Sequence, residues 1–424
     1  MGVLGLGLLL LLAALVGAPI FAVIGAIGLV AFDRAGIDAA ALIVELYRLV
    51  NFPALIAIPL FTFAGYVLAE SKAPRRMIGL AQAFFGWMPG GLAIVALLST
   101  AIFTAFSGAS GVTIIALGGL IFPALLKENY PERFSLGLMT TSGSLGLLFP
   151  PSLPIILYSI VAQVNIDQLF RAALLPGVLL IVVLSIYSVR TAIKSGVPRQ
   201  AFVWKNVWSE LKGAAWEIPL PFVVIGGIYG GVITATEAAA VTAFYVLIVE
   251  VFVRRDLTFF GDMPRVLRES MILVGAILVM LGAAMGVTNY LIDEQIPMKL
   301  FGWISLFVDS KVVFLVILNL FLLVMNMVEI FSAIIIVVPI IVPVAMQYHV
   351  DPVHLGVIFL LNLEIGYMTP PLGLNLFLSS MRFNRPLTAA YRAVLPFFAL
   401  LVAVLILVTY APGLSLSLAG SASP

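Results

Sequence analysis

Apolar positions in this chain do not alternate with polar ones; they run on. Met77 to Leu126 is a stretch of 50 residues without a charge, and between Val312 and Val350 the one charged side chain is Glu329. A bilayer-crossing helix needs about 20 consecutive apolar residues, and the pattern predicts such spans over 3–32, 53–70, 134–162, 170–193, 217–233, 237–253, 270–290, 354–381 and 393–412. Met1 to Phe32 has no charge and lacks the basic head of a secretory signal peptide. It reads as a retained span, its excess length absorbed by tilt or by a bend around Gly17-Ala18-Pro19. The two long stretches exceed single spans. Each is either a pair of ordinary spans joined by a turn in water or a re-entrant hairpin with its tip inside the membrane. The first is interrupted by Ser107-Gly108-Ala109-Ser110-Gly111, the second by Asn326 to Ser332.

Composition agrees with lipid as the solvent. Of 424 residues 62% are hydrophobic, against 22 basic and 20 acidic ones, and mean hydropathy is +1.19. That excludes an ordinary soluble enzyme, a secreted domain and a disordered regulator. A net charge of +2 gives no footprint for nucleic acid. The absence of cysteine removes disulfides, thiolate nucleophiles and Cys-ligated metals. The basic residues cluster as Lys72/Arg75/Arg76, Arg190 through Lys212, Arg254/Arg255/Arg265/Arg268 and Arg382/Arg385/Arg392. One topology puts all four in the cytoplasm, with the N-terminus inside and the C-terminus outside. Pro198 to Gly213 has Phe202, Trp204, Val207, Trp208 and Leu211 on one side and Arg199, Lys205 and Lys212 on others, as in a helix lying in the membrane interface; the plainer alternative is a linker helix in the cytoplasm.

The halves repeat. Pro123 and Pro343 each end a hairpin arm, and Pro150-Pro151 and Pro370-Pro371 each follow a polar, Gly-bearing segment, with one shift relating both pairs (343 − 123 equals 370 − 150). Gly65 lies over Gly286 with one residue of slippage. Each copy then has four spans and a hairpin, with 217–233 linking them. The first repeat is 1–193, with a hairpin at about 87–126 and a broken helix at about 134–162. The interfacial segment and linking span fill 194–236. The second repeat is 237–412, with a hairpin at about 312–346 and a broken helix at about 354–381, followed by a tail at 413–424. An even number of spans per copy plus one linker inverts the second copy, and inverted repeats mark alternating-access secondary transporters.

Candidate chemistry sits where the third span of each copy is interrupted: Ser142-Gly143-Ser144 through Ser152, and Asn362 through Asn375. Breaking a helix in lipid costs several kcal/mol for each backbone group left unpaired. Freed carbonyls with Ser, Thr and Asn oxygens suit Na+, half-helix N-termini suit a carboxylate, and Pro150, Pro151, Pro370 and Pro371 mark the structural breaks. The bland alternative is that each Pro-Pro pair only kinks a packed helix. The hairpin tips add Ser107, Ser110 and Thr113, and Asn326, Glu329 and Ser332. Glu329 and Glu364 lie deep in apolar sequence, where a carboxylate is functional by default. Glu237 instead suits the first turn of a helix. His349 and His354 flank Asp351-Pro352 in what reads as a loop without a metal-site pattern. Gly2, Gly5 and Gly7 read as close packing, no phosphate-binding loop is present, and no serine has a nearby base. The chain therefore reads as a transporter, not an enzyme.

The segments Phe106-Ser-Gly-Ala-Ser-Gly-Val-Thr113, Phe149-Pro-Pro-Ser-Leu-Pro154, Gly230 to Glu237, Asp351 to Gly356 and, most specific, Asn362-Leu-Glu-Ile-Gly-Tyr-Met-Thr-Pro-Pro-Leu-Gly-Leu-Asn-Leu-Phe377 resemble the large membrane subunit of tripartite ATP-independent periplasmic (TRAP) transporters, within the ion-transporter superfamily. The resemblance implies an all-α polytopic protein of the bacterial inner membrane, with two inverted repeats that each hold a re-entrant hairpin and a broken helix. It implies an elevator in which a transport domain moves against a scaffold, and Na+-coupled symport of a small organic anion, most simply a carboxylate. It also implies a small membrane subunit, expected as a separate polypeptide, and a periplasmic binding protein. No cofactor is expected beyond Na+ as coupling ion. Carried over by position, substrate contacts fall on Ser107, Gly108, Ser110, Ser152, Thr369, Gly373 and Asn375, and Na+ candidates are Ser107, Ser142, Gly143, Glu329, Asn362 and Thr369. Leu322 to Met327 lacks the glycine expected before Glu329. The alternative within transport is a single-component carboxylate symporter of the same superfamily.

Overall fold

The computed structural model describes residues 12–13, 18–40, 43–44, 47, 52–198, 201–325 and 330–419. Glu329, Asn326, Arg199 and Gly2, Gly5 and Gly7 lie outside the described residues. The described chain is helical, and five helices in it are long and apolar enough to cross a membrane, or up to seven if each bent pair counts as one span. Local signals start the helices. Asn165 caps Ile166–Lys194 by accepting from the amides of Asp167 and Gln168, and Asp351 caps Pro352–Gly366 in the same way. Thr234 and Glu237 form a reciprocal capping box at the start of Ala235–Leu247, the role expected of Glu237.

The shift between the two copies governs elements as well as motifs. Gly91–Ser107 and Lys311–Met325 begin at that separation (311 − 91), as do Glu132–Ser142 and Pro352–Gly366 (352 − 132). Asn129 and His349, related by the same shift, both take positive φ just before those last two helices, and both Pro-Pro bonds are cis.

Several boundaries differ from the sequence expectations. The span expected at 53–70 is a short 3-10 turn, Pro53–Ile56, followed by Ala57–Glu70, only 14 residues. The long uncharged stretch from 77 opens not with a span but within a helix, Ala73–Phe85, that precedes the hairpin. In the segment expected to be interfacial the helix is Trp204–Gly213, preceded by non-helical 201–203; it packs on Ala73–Phe85, buries Val207 and exposes Trp204 and Trp208. His354 is not in a loop. It is buried in Pro352–Gly366, its ring nitrogens 2.6 Å from Ser415 Oγ and 3.2 Å from the Thr409 carbonyl.

Packing crosses between the halves. The return arm of the first hairpin, bent by 48° between Ser110–Ala116 and Gly118–Lys127, lies against Leu374–Phe383, where the rings of Phe122 and Phe383 stack at 4.4 Å. Ile330–Gln347, the return arm of the second hairpin, lies against Leu153–Ala162. Leu387–Tyr410 packs on Glu132–Ser142 and Ile166–Lys194 on Pro352–Gly366. Gly137 permits the former approach, since a Cβ there would stand 2.3 Å from the Ala393 carbonyl. A second group, Ile20–Ala35, Ala57–Glu70, Ala235–Leu247 and Met263–Asp293, packs mutually through Ala57–Glu70 and Met263–Asp293.

Candidate functional site

The first hairpin does not turn in bulk water. Ser107 and Ser110 at its tip are 1% and 2% exposed. Gly108 makes the turn at φ +65°, and a Cβ there would collide with Leu153 at 2.5 Å, so the tip rests on the start of Leu153–Ala162. Just below the tip, Thr104 donates to the Gly143 carbonyl at 2.8 Å and shares a 2.7 Å hydrogen bond with Thr113. A Cβ on Gly143 would lie 2.5 Å from Ile114. Ser107, Gly108, Ser110, Ser142, Gly143 and Ser152 are thereby brought to one place, the meeting of hairpin and break.

The break is built in steps. Glu132–Ser142 ends at Ser142, a single 3-10 turn occupies Leu145–Leu148, and the chain resumes as Leu153–Ala162 after a bend of 46°. Ser152 holds the N-cap position of that half-helix, yet its hydroxyl makes no capping bond. The hydroxyls of Ser107, Ser110, Ser142 and Ser152 are all buried without a hydrogen-bond partner. Buried polar groups are nearly always partnered, so this concentration at one helix break singles it out as the candidate site.

Asn375 comes to the same place from the other half. Its amide donates to the Thr140 carbonyl at 3.2 Å and to Ser144 Oγ at 3.0 Å, leaving its own Oδ1 buried and unpartnered. Ser144 in turn donates to Glu364 Oε1 at 3.0 Å. These two residues are themselves related by the shift between the copies, so equivalent positions touch where the halves meet. The other carboxyl oxygen, Oε2, is buried without a partner. Sequence reasoning singled out Glu364 but not Ser144 as its partner or Asn375's; the shift that aligns these positions was the available signal.

The remaining candidates disperse. Contrary to the sequence expectation, Asn362 lies outside the second break, because Pro352–Gly366 runs unbroken through it; the break spans 367–373. Two residues apart on one helix, Asn362 and Glu364 point to nearly opposite sides. Asn362 faces the second hairpin, donating to Asn319 Oδ1 at 2.7 Å. Thr369, partly exposed, donates to the Ile365 carbonyl. Gly373 caps Leu374–Phe383, where a Cβ would come within 2.5 Å of the Tyr367 carbonyl. Pro371 offers its carbonyl to Tyr391 at 2.9 Å.

The candidate ion donors are oxygens in two separate places, Ser107 and Ser142 Oγ at the first break and Asn362 Oδ1 beside the second hairpin, all unpartnered acceptors. That set fits a hard cation. Among the described residues no group of three or more His, Cys, Asp or Glu side chains is placed to hold a metal, and no Lys or Arg is buried.

Residues 4–414 match the family described as the tripartite ATP-independent periplasmic transporter, DctM component. The C4-dicarboxylate TRAP transporter large permease protein DctM of Pseudomonas aeruginosa is 37% identical over 380 residues, covering 89% of both chains. The 2,3-diketo-L-gulonate TRAP transporter large permease protein YiaN of Escherichia coli is 30% identical over 363 residues and 85% of both. Among solved structures, the YdaH transporter of Alcanivorax borkumensis superposes with a TM-score of 0.59 at 14% identity, covering 87% of this chain and 86% of that one, a likeness of fold.

Proposed function

Because the chain belongs to the DctM family of tripartite ATP-independent periplasmic transporters, we propose that it is the large permease subunit that takes up a small carboxylate together with Na+. One observation carries this. The first break gathers unpartnered buried hydroxyl and amide oxygens, and among the described residues no Lys or Arg is buried. A carboxylate withdrawn from water into such a place lacks fixed positive charge, and burying it bare is prohibitive. A co-bound cation supplies the charge, and oxygen donors of this kind suit Na+. Relatives are named for C4-dicarboxylates and for 2,3-diketo-L-gulonate, both carboxylates.

In this proposal Ser107, Gly108, Ser110, Ser152, Thr369, Gly373 and Asn375 receive the substrate, while Ser107, Ser142, Gly143, Asn362 and Thr369 serve Na+. Glu329 keeps the ion role assigned from sequence. The two copies, 1–193 and 237–412, are inverted, and the crossed hairpins and broken helices move as one transport body past the group built on Ala57–Glu70 and Met263–Asp293. A small membrane subunit and a periplasmic binding protein complete the system in the bacterial inner membrane. The test is reconstitution of the three components in vesicles. Uptake of a C4-dicarboxylate is expected to rise with an inward Na+ gradient; uptake indifferent to Na+ would sink the coupling, and uptake by this chain alone would favour a single-component symporter.

A further inference from the structure

Asn362 is wholly buried, and its Oδ1 has no hydrogen-bond partner. Both of its N–H donors are used: 2.7 Å to Asn319 Oδ1 and 2.9 Å to the Ile358 carbonyl. An amide's two ends are told apart only by what they bond. Here the bonds decide, since a backbone carbonyl only accepts. Ile358 fixes the nitrogen of Asn362. Asn319 is fixed likewise, donating to the Leu315 carbonyl at 2.9 Å and to Thr409 Oγ1 at 3.3 Å, which leaves its oxygen to receive Asn362. The carbonyl end of Asn362 is held in the opposite direction, since a flip would set its oxygen against the Ile358 carbonyl.

The first copy supplies the contrast. The shift that carries Ser144 onto Glu364 also carries Ser99 onto Asn319 and Ser142 onto Asn362, and both serines are buried with unpartnered hydroxyls. A hydroxyl oxygen accepts a cation from many angles, because its hydrogen swings aside. A flipped amide instead presents N–H groups, which repel a cation. Only the amide half of the molecule needs a clamp.

We propose that Asn319 is a positioning residue for an ion site in the second half, holding the Asn362 carbonyl toward a bound Na+, with Thr409 steadying Asn319 in turn. This rests on Asn362 being an ion ligand, as proposed above. It ties ion binding to three elements at once: the first arm of the second hairpin, the second broken helix and the last long helix, Leu387–Tyr410.

The experiment titrates Na+ in vesicles holding the chain, its small subunit and its binding protein, with the melting midpoint of the purified chain against Na+ as a second measurement. Asn319→Leu is expected to raise the Na+ concentration for half-maximal uptake about tenfold, the scale of one orienting hydrogen bond, and to move substrate half-saturation far less. Asn362→Ala should raise it at least as much, and the double variant no further. Thr409→Val should shift it in the same direction by less, and carries the test if Asn319→Leu fails to fold. A shift in Asn362→Ala with none in Asn319→Leu or Thr409→Val overturns the clamp alone. No shift in Asn362→Ala overturns its ligand role and the clamp with it.

Discussion

Ser152 sits where a serine usually caps a helix, and its hydroxyl is left out of the cap. Asn165, Thr234 and Asp351 show what capping looks like in the same molecule, each accepting from backbone amides. The difference separates stability from binding by experiment. Thr234→Ala should lower stability by about 0.5–2 kcal/mol, seen as a lower melting midpoint in detergent. Ser152→Ala should leave the midpoint near that of the unchanged protein while depressing uptake, and a large melting loss would return Ser152 to an ordinary structural role. Asn375 is committed from two sides, to the Thr140 carbonyl and to Ser144. Asn375→Ala is expected to cut uptake by about an order of magnitude, the weight of one or two hydrogen bonds; normal transport with folded protein would move the substrate elsewhere.

At the scale of elements, glycines set how closely the hairpin and the break approach. A Cβ on Gly146 would lie 2.3 Å from the Ala101 carbonyl and from the Ala105 amide, both backbone of the hairpin's first arm. Gly146→Ala should cost about 1–3 kcal/mol through overpacking, measurable as a lowered melting midpoint, because neither backbone yields. Another junction is ionic. Arg76, on Ala73–Phe85, pairs with Glu217 at 2.6 Å, Glu250 at 2.9 Å and Asp256 at 2.6 Å, binding the segment before the hairpin to the linker and to the stretch that follows Ala235–Leu247. Removing Arg76 strands buried acids, so Arg76→Ala should destabilise by about 3–5 kcal/mol. Partial burial opposes ionisation of Asp256, but hydrogen bonds from Arg76 and the Lys72 amide and the charges of both outweigh it and hold the carboxyl below its ordinary range. Its folded value is therefore lower than its unfolded one. The stability it contributes is present above the ordinary carboxylate range and lost as pH falls through the lowered value. Melting midpoints of the unchanged protein should fall over that acidic window more steeply than those of Asp256→Asn.

For the whole molecule, the crossed packing means that each hairpin's return arm is also supported by the broken helix of the opposite copy. Asn375 and the Ser144–Glu364 bond are where one half reaches the candidate residues of the other. The buried tip has a direct consequence, and the natural lack of cysteine permits a clean measurement. Ser107→Cys should resist a membrane-impermeant maleimide when the site is closed by substrate and Na+, while a cysteine at exposed Trp204 reacts freely; rapid labelling of Ser107→Cys under those conditions would put the tip in water.

Much was legible in the chain because lipid and backbone chemistry act locally. A bilayer forces long apolar runs and tolerates few charges, so the class of protein follows from patterning alone. Proline and glycine at a constant shift reveal the repeat and both breaks, since each acts on its own stretch of backbone, and Glu237 was recognisable as a cap for the same reason. Tertiary structure alone decided that the first tip is enclosed by protein, that Asn362 stands in an unbroken helix facing Asn319, that His354 is buried in a helix, and that Ser144 joins Glu364 to Asn375. Each of these depends on side chains far apart along the chain meeting in space. Spacing along a sequence carries a helix's period and its ends, but the partner of a buried hydroxyl is chosen by how separate helices pack.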